Sequence, residues 1–159
     1  MPEPVGTIRT TSATTLAVAG ALGFVAGAAV RPLVDRAGGI PPTVPWSAVV
    51  TLLFLAAVLG ALAWGTYRTL HVRQEPVEPS RGVALLVLAK ASAVAGALVA
   101  GAYLGFGLSF VESWEVALPR QRVVRSAVAM LSAVAVVVAA LLLERACRVP
   151  IDPEDELAT

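Results

Sequence analysis

Four long apolar stretches, almost free of charge, constrain this chain more than any other feature of its sequence. They cover residues 11–30, 46–67, 82–107 and 123–143. A helix needs roughly 20 apolar residues to cross the hydrocarbon core of a bilayer. Backbone amides in lipid must be satisfied within the segment, and the alternation typical of barrel strands is absent, so all four stretches should be α-helical. The sequence therefore predicts an all-α integral membrane protein, folded as an antiparallel four-helix bundle.

The composition argues against a soluble domain. Hydrophobic residues make up 57% of the 159 positions and charged residues 14%, whereas a soluble domain carries roughly a quarter charged residues. A soluble core of this size could not hide so much apolar surface, so the excess must face lipid. The lipid bilayer is therefore the expected partner. The net charge of +1 shows no clustered basic face, and no nucleic acid is expected.

Prolines and glycines indicate where the spans end. Arg31-Pro32 is expected to stop the first helix, and a turn-rich segment follows it. Pro76 and Pro79 preclude a continuous helix between the second and third spans. We interpret the first stretch as a membrane span because its uninterrupted length, roughly twenty residues, exceeds that of a usual cleaved signal.

The chain divides into one large domain and a short tail. Residues 1–150 are predicted to form the four-span membrane domain, and residues 151–159 a disordered tail that is acidic and contains proline. Six arginines and Lys90 flank the side that holds both termini, against five arginines on the opposite side. Because cytoplasmic loops carry the excess of basic residues, both termini are predicted to be cytoplasmic, in the plasma membrane.

Small residues recur every four positions in two of the spans. One ridge consists of Thr15, Ala19, Gly23 and Gly27, and a longer one of Ala89, Ala93, Ala97, Gly101 and Gly105. Lipid gives no hydrophobic drive for helix association, so close backbone approach must supply part of it. We interpret both ridges as packing surfaces, with a dimer seam or a transporter's sliding surface as the functional alternative.

Lys90 is the only lysine of the chain and lies inside the third apolar stretch. If the third helix begins near Ala91, Lys90 is an interfacial anchor. If it begins near Gly82, which we favour, Lys90 lies about two turns inside and a partner must offset the cost of burying a charge. Glu144 closes the fourth helix on the same side. We therefore predict that Lys90 points into the bundle in a structural role rather than a substrate or ion role. Its hydrogen-bonded partner is expected to be Glu144, or Ser92 and a backbone carbonyl if Glu144 points to water.

Three patches resemble a known family. They are PPTVPW at the entry of the second span, RGVALLVLAKASAVAGALVAGAYLG in the third, and ERACRVP after the fourth. Together they are similar to an actinobacterial membrane family known only as domain of unknown function 3180, and the similarity extends over residues 9–150. The resemblance implies a four-span fold and genes often located beside folate-biosynthesis genes, but no activity. Its motif positions are occupied here by Lys90, Ser92, Glu144, Arg145, Cys147 and Arg148.

These observations lead to a candidate polar cluster and two function classes. The cluster consists of Lys90, Ser92, Glu144, Arg145 and Arg148, all expected at the cytoplasmic end. The first class is a non-enzymatic scaffold or accessory subunit, which would bind a cytoplasmic or membrane protein partner, or a second copy of itself. The second is a small oligomeric transporter, disfavoured because every acidic residue lies at a helix end or in a loop and no broken helix recurs in two halves.

An enzyme is not expected. The chain has one histidine and one cysteine, His71 and Cys147, and no clustered carboxylates within the spans. No metal or cofactor site is predicted for the same reason.

Overall fold

The protein is a bundle of four long helices. The computed structural model describes residues 11–39, 44–68, 79–111 and 117–147. The helices are α1 (Ala13–Arg36), α2 (Trp46–Tyr67), α3 (Pro79–Leu108) and α4 (Ala117–Ala146), and the described residues contain no strand. Each helix includes a segment long and apolar enough to cross a membrane. The all-α, four-span prediction is confirmed, while the predicted tail at 151–159 lies outside the described residues.

The helices pack in the order α1–α3–α4–α2. The extensive contacts join α1 to α3, α3 to α4, and α4 to α2. Gly27 of α1 lies against Ala102 of α3, which runs in the same direction, whereas Gly107 near the end of α3 lies against Ser126 near the start of α4. Helices α1 and α3 therefore cross the membrane one way, and α2 and α4 the other. The two central helices, α3 and α4, hold the bundle together.

The contact between α1 and α3 is a backbone-to-backbone packing of glycines. A Cβ atom built on Gly23 would overlap the carbonyl oxygen of Leu98, and one on Gly101 would overlap the carbonyl oxygen of Gly20. Gly27 and Gly105 meet the opposite backbone in the same way. Only residues without a side chain allow two helices to approach this closely. The predicted small-residue ridges thus form a real packing surface along half of their length.

The interior consists of two clusters of buried apolar residues, one toward each end of the bundle. The first contains Leu59 and Ala63 of α2, Ala89 and Ala93 of α3, and Val136, Ala139, Ala140 and Leu143 of α4. The second contains Val44, Val49, Phe106, Phe110 and Ala129. The N-terminal part of the α3 ridge, Ala89 and Ala93, therefore packs against α4 and α2. The ridge that is continuous in the sequence therefore contacts α1 through its glycines and α4 and α2 through its first two alanines.

The first helix ends later than predicted, and for a different reason. Arg31-Pro32 does not stop α1, which continues to Arg36 with Pro32 inside it. It ends where Gly38 adopts a positive φ of 69°. The amide of Gly38 donates to the carbonyl of Asp35 at 3.2 Å, and that of Gly39 to the carbonyl of Val34 at 3.0 Å. This pair of bonds is the Schellman motif, which requires a left-handed residue that glycine supplies without strain.

Helices α3 and α4 are also longer than their predicted spans. Each has 30 residues, about 45 Å at 1.5 Å per residue, so their ends extend beyond a hydrocarbon core of about 30 Å. Helix α3 is continuous from Pro79, which excludes the alternative start near Ala91. Helix α4 begins at Ala117, six residues before the predicted span, so Arg122 and Arg125 are helical residues.

Candidate functional site

A buried carboxylate lies at the end of the bundle that holds the start of α1 and the end of α4. Glu144 is only 5% exposed. One of its oxygens accepts a hydrogen bond from the backbone amide of Thr11 at 2.8 Å, and the other accepts from the Thr11 hydroxyl at 2.6 Å. Donation to an ionised carboxylate is among the stronger hydrogen bonds in proteins. This pair ties the residues that precede α1 to the last turn of α4.

The opposite end of the bundle carries an arginine on α1 that reaches across to the end of α3. The Arg31 Nη1 donates to the carbonyl oxygen of Ser109, and its guanidinium carbon lies 5.0 Å from the centre of the Phe110 ring. Arg31 Nε is also 3.8 Å from a carboxylate oxygen of Asp35, one turn later on α1. The Ser109 hydroxyl donates to the carbonyl of Phe106 at 2.7 Å and so completes the end of α3. The arginine thus joins α1 to the capped end of α3.

Two further arginines approach the same place from the first turns of α4. The guanidinium carbon of Arg122 lies 5.3 Å from the centre of the Phe110 ring, so one ring interacts with two cations. The guanidinium carbon of Arg125 lies 5.7 Å from the Trp46 ring, and its Nη1 donates to the carbonyl of Val44 at 3.4 Å. We call Arg31, Arg122 and Arg125, with Phe110 and Trp46, the arginine–aromatic cluster.

Two polar atoms of this cluster lack a hydrogen-bond acceptor. The Nε atoms of Arg122 and Arg125 are buried and have no partner within the part of the chain that the structure describes. Most buried polar groups in folded proteins are hydrogen-bonded, and an unsatisfied donor carries a cost of about 1–3 kcal/mol. Among the described residues, these two donors therefore have no acceptor to offset that cost.

An apolar cavity of about 270 Å³ adjoins the cluster. Its walls are formed by Gly27, Val30, Val44, Pro45, Ala102, Tyr103 and Phe106. Val44 also accepts the hydrogen bond from Arg125, and the Phe106 ring packs edge-on against Phe110, with ring centres 5.1 Å apart. Two residues therefore connect the cavity directly to the cluster.

The comparison with known families shows to which family this chain belongs. The family described as protein of unknown function DUF3180 matches residues 9–151, nearly the whole chain. This chain belongs to the DUF3180 family. No curated protein and no solved structure matches it. Membership in DUF3180 confirms the resemblance drawn from the three sequence patches.

The predicted polar residues of this DUF3180 member differ in burial. Glu144 is buried, Ser92 is half-buried, Lys90 and Arg145 are exposed, and Arg148 lies outside the described residues. The prediction that Lys90 points into the bundle is wrong. Ala89 and Ala93 are fully buried, whereas Lys90, between them in the sequence, is exposed. A bond between Lys90 and Glu144, and a role for this set of residues as one cluster, stay predictions.

Among the described residues, no group of three or more histidine, cysteine, aspartate or glutamate side chains could hold a metal ion. Cys147, half-buried just beyond α4, is a single free thiol. What the geometry can do at the arginine–aromatic cluster is bind an anion, because guanidinium groups are planar donors matched to carboxylate and phosphate oxygens.

Sequence reasoning missed the arginine–aromatic cluster. It used Arg31, Arg122 and Arg125 only as counts for membrane orientation and as markers of helix ends. One signal was available: Arg122 and Arg125 are three residues apart, the spacing that places two side chains on one face of a helix. The predicted start of α4 at residue 123 left Arg122 in a loop and concealed that spacing.

Proposed function

We propose that this protein is a non-enzymatic membrane scaffold or accessory subunit. The observation that carries the proposal is the polarity of its interior. Besides Thr11 and Glu144 at one end, the buried polar residues in the described part of the chain are Ser126 and Ser132. Each serine hydroxyl donates to a carbonyl of its own helix, at Val123 and Val128 respectively. A transporter needs polar or ionisable groups along a path at mid-membrane depth, and these two hydroxyls are already engaged.

The outer surface of α2 supports a binding role. This helix packs mainly against α4, and several large apolar side chains are exposed on its remaining surface. Phe54 is 70% exposed and Trp64 is 67% exposed. In a membrane such a face is covered by lipid tails or by the helix of another subunit. We propose that α2 presents the face on which a protein partner or a second copy of the chain packs.

Two further contact regions belong to the proposal. The connection at 68–81 and the acidic tail at 151–159 would hold a cytoplasmic partner, in the plasma membrane with both termini inside. Residues 69–78 and the tail lie outside the described residues, so this part rests on their sequence alone.

Site-specific photo-crosslinking in native membranes tests the proposal. A photoreactive residue at Phe54 of α2 should give one protein adduct of defined mass, to a partner or to a second copy. The matched control is Leu22 of α1, also exposed at 62% but on a helix at the other edge of the bundle, which should give lipid adducts only. Lipid adducts at both positions would contradict the proposal.

Reconstitution tests the transporter alternative. Liposomes that contain the purified protein should take up no solute from a cell extract beyond the level of protein-free liposomes, as measured by mass spectrometry of their contents. Selective uptake of one solute would replace the scaffold with a small oligomeric transporter.

A further inference from the structure

The arginine–aromatic cluster and its adjoining cavity form one amphipathic site. We propose that this site binds an anionic phospholipid, with the headgroup phosphate on Arg122 and Arg125 and part of one acyl chain in the cavity. The inference is independent of the scaffold role and concerns the opposite end of the bundle from Glu144.

The charge of the cluster calls for an anion. Three guanidinium groups converge on two aromatic rings. Within the described residues, the carboxylate paired with them is Asp35, which is 55% exposed and lies on the Arg31 side. Arg122 and Arg125 are half-buried rather than enclosed, so a phosphate can approach the exposed part of each side chain and supply charged oxygen acceptors to a planar group of donors.

The cavity favours a lipid over a soluble anion. Its walls are aliphatic and aromatic. Burial of an acyl chain against such walls is favourable, whereas a hydrated ion would find no polar partner there. It lies between the second half of α1, the residues just before α2 and the second half of α3. Basic pockets between transmembrane helices near the membrane surface are typical headgroup sites. The cluster lies at helix ends, the depth at which phosphates occur.

Lipid-dependent stability of the purified full chain tests the proposal first. Dioleoyl phosphatidylglycerol should raise the apparent unfolding temperature in detergent more than dioleoyl phosphatidylcholine, which has the same chains and no net charge. Inorganic phosphate at equal concentration should have little effect, because it cannot occupy the cavity. Equal shifts with the two lipids, or a phosphate effect as large as that of phosphatidylglycerol, would overturn the lipid site.

Variants test which residues bind phosphatidylglycerol, with binding measured by native mass spectrometry of delipidated protein. Arg122→Gln with Arg125→Gln should weaken phosphatidylglycerol binding roughly tenfold or more, at about 1 kcal/mol per arginine. The matched control is Arg36→Gln, an exposed arginine at the same end of the bundle, which should bind nearly as the parent does. Undiminished binding by the double variant would contradict the assignment.

A charge-conserving variant covers the case in which the double glutamine variant does not fold. Arg122→Lys with Arg125→Lys keeps both cations and should keep a preference for phosphatidylglycerol over phosphatidylcholine. Val30→Phe, which fills part of the cavity, should reduce binding of the dioleoyl lipid while leaving both arginines in place. No change with Val30→Phe would exclude the cavity as the acyl-chain site.

Discussion

Glu144 shows how a membrane protein retains a carboxylate beside an apolar core. It is buried at the last turn of α4, where an unpaired charge would be costly. Thr11 offers it two donors, one from the backbone and one from the side chain. The bond also links two helices, α1 and α4, that are not major packing partners. A local polar contact thus connects the edge of the bundle to its centre.

Thr11→Val should destabilise the fold. It removes the hydroxyl donor while keeping a similar shape, and a hydrogen bond to a charged group contributes about 1.5–3 kcal/mol. Urea unfolding in detergent, followed by tryptophan fluorescence, measures the loss. Thr51→Val, on the exposed face of α2, is the matched control and should change the free energy of unfolding little. If the effects of Thr11→Val and Glu144→Gln simply add in the double variant, the two residues do not interact.

Cys147 should react slowly with alkylating reagents at neutral pH. Partial burial raises the pKa of its thiol, because desolvation penalises the thiolate, and the thiolate is the form that reacts. Iodoacetamide alkylation should therefore accelerate with pH and level off at a higher pH than for an unburied thiol. The comparison is Arg145→Cys in a Cys147→Ser background, an exposed position at the same end. Coincident pH profiles for the two thiols would contradict the raised pKa.

At the scale of elements, the seam between α1 and α3 depends on the absence of side chains at four positions. Gly23 and Gly27 on α1 and Gly101 and Gly105 on α3 each face the backbone of the other helix. Any methyl group there meets a carbonyl oxygen or an amide, which cannot move aside without separating the helices. The seam is therefore intolerant of even the smallest substitution.

Gly23→Ala and Gly101→Ala should each lower the free energy of unfolding by about 1–3 kcal/mol, as overpacking does. Gly60→Ala in α2 is the matched control, since a Cβ there meets nothing within 4 Å. It should be neutral or stabilise by about 0.5–1 kcal/mol, because alanine is the better helix residue. Thermal unfolding in detergent ranks the three variants. A destabilisation by Gly60→Ala equal to that of Gly23→Ala would mean that the α1–α3 contact is not the cause.

Much of the element level could be predicted from sequence, because length and hydropathy dictate membrane helices. The bounds of α2 agree residue for residue, and both small-residue ridges are buried except at Thr15, which is exposed, and Ala97, which is half-buried. The end of α1 and the start of α4 could not be predicted from apolar runs, since both extend beyond them. The end of α1 is set by the geometry of Gly38 rather than by hydropathy. The arginine–aromatic cluster depends on those ends, and on the packing order that places Phe110 of the α3 end beside Arg31 and Arg122. The order in which the helices pack cannot be deduced from the residue pattern of each helix taken alone.

At the scale of the whole molecule, both termini are predicted to be cytoplasmic. Ser80 lies in the first turn of α3, on the side of the termini, and Ser113 follows α3 outside the described residues. In a Cys147→Ser background, a membrane-impermeant maleimide should label Ser113→Cys in intact cells and Ser80→Cys only after permeabilisation. The reverse pattern would invert the orientation and place the arginine–aromatic cluster at the inner leaflet.

The packing order has a consequence for how the chain is built during synthesis. Helices α1 and α2 leave the ribosome first, yet among the described residues each finds its main neighbour only in a later helix, α3 for α1 and α4 for α2. The first half of the chain must therefore enter the bilayer on hydropathy alone and persist there as two separate spans. Assembly then waits for the second half, so a ribosome that stalls before α4 would leave α2 without its docking surface and exposed to membrane proteases.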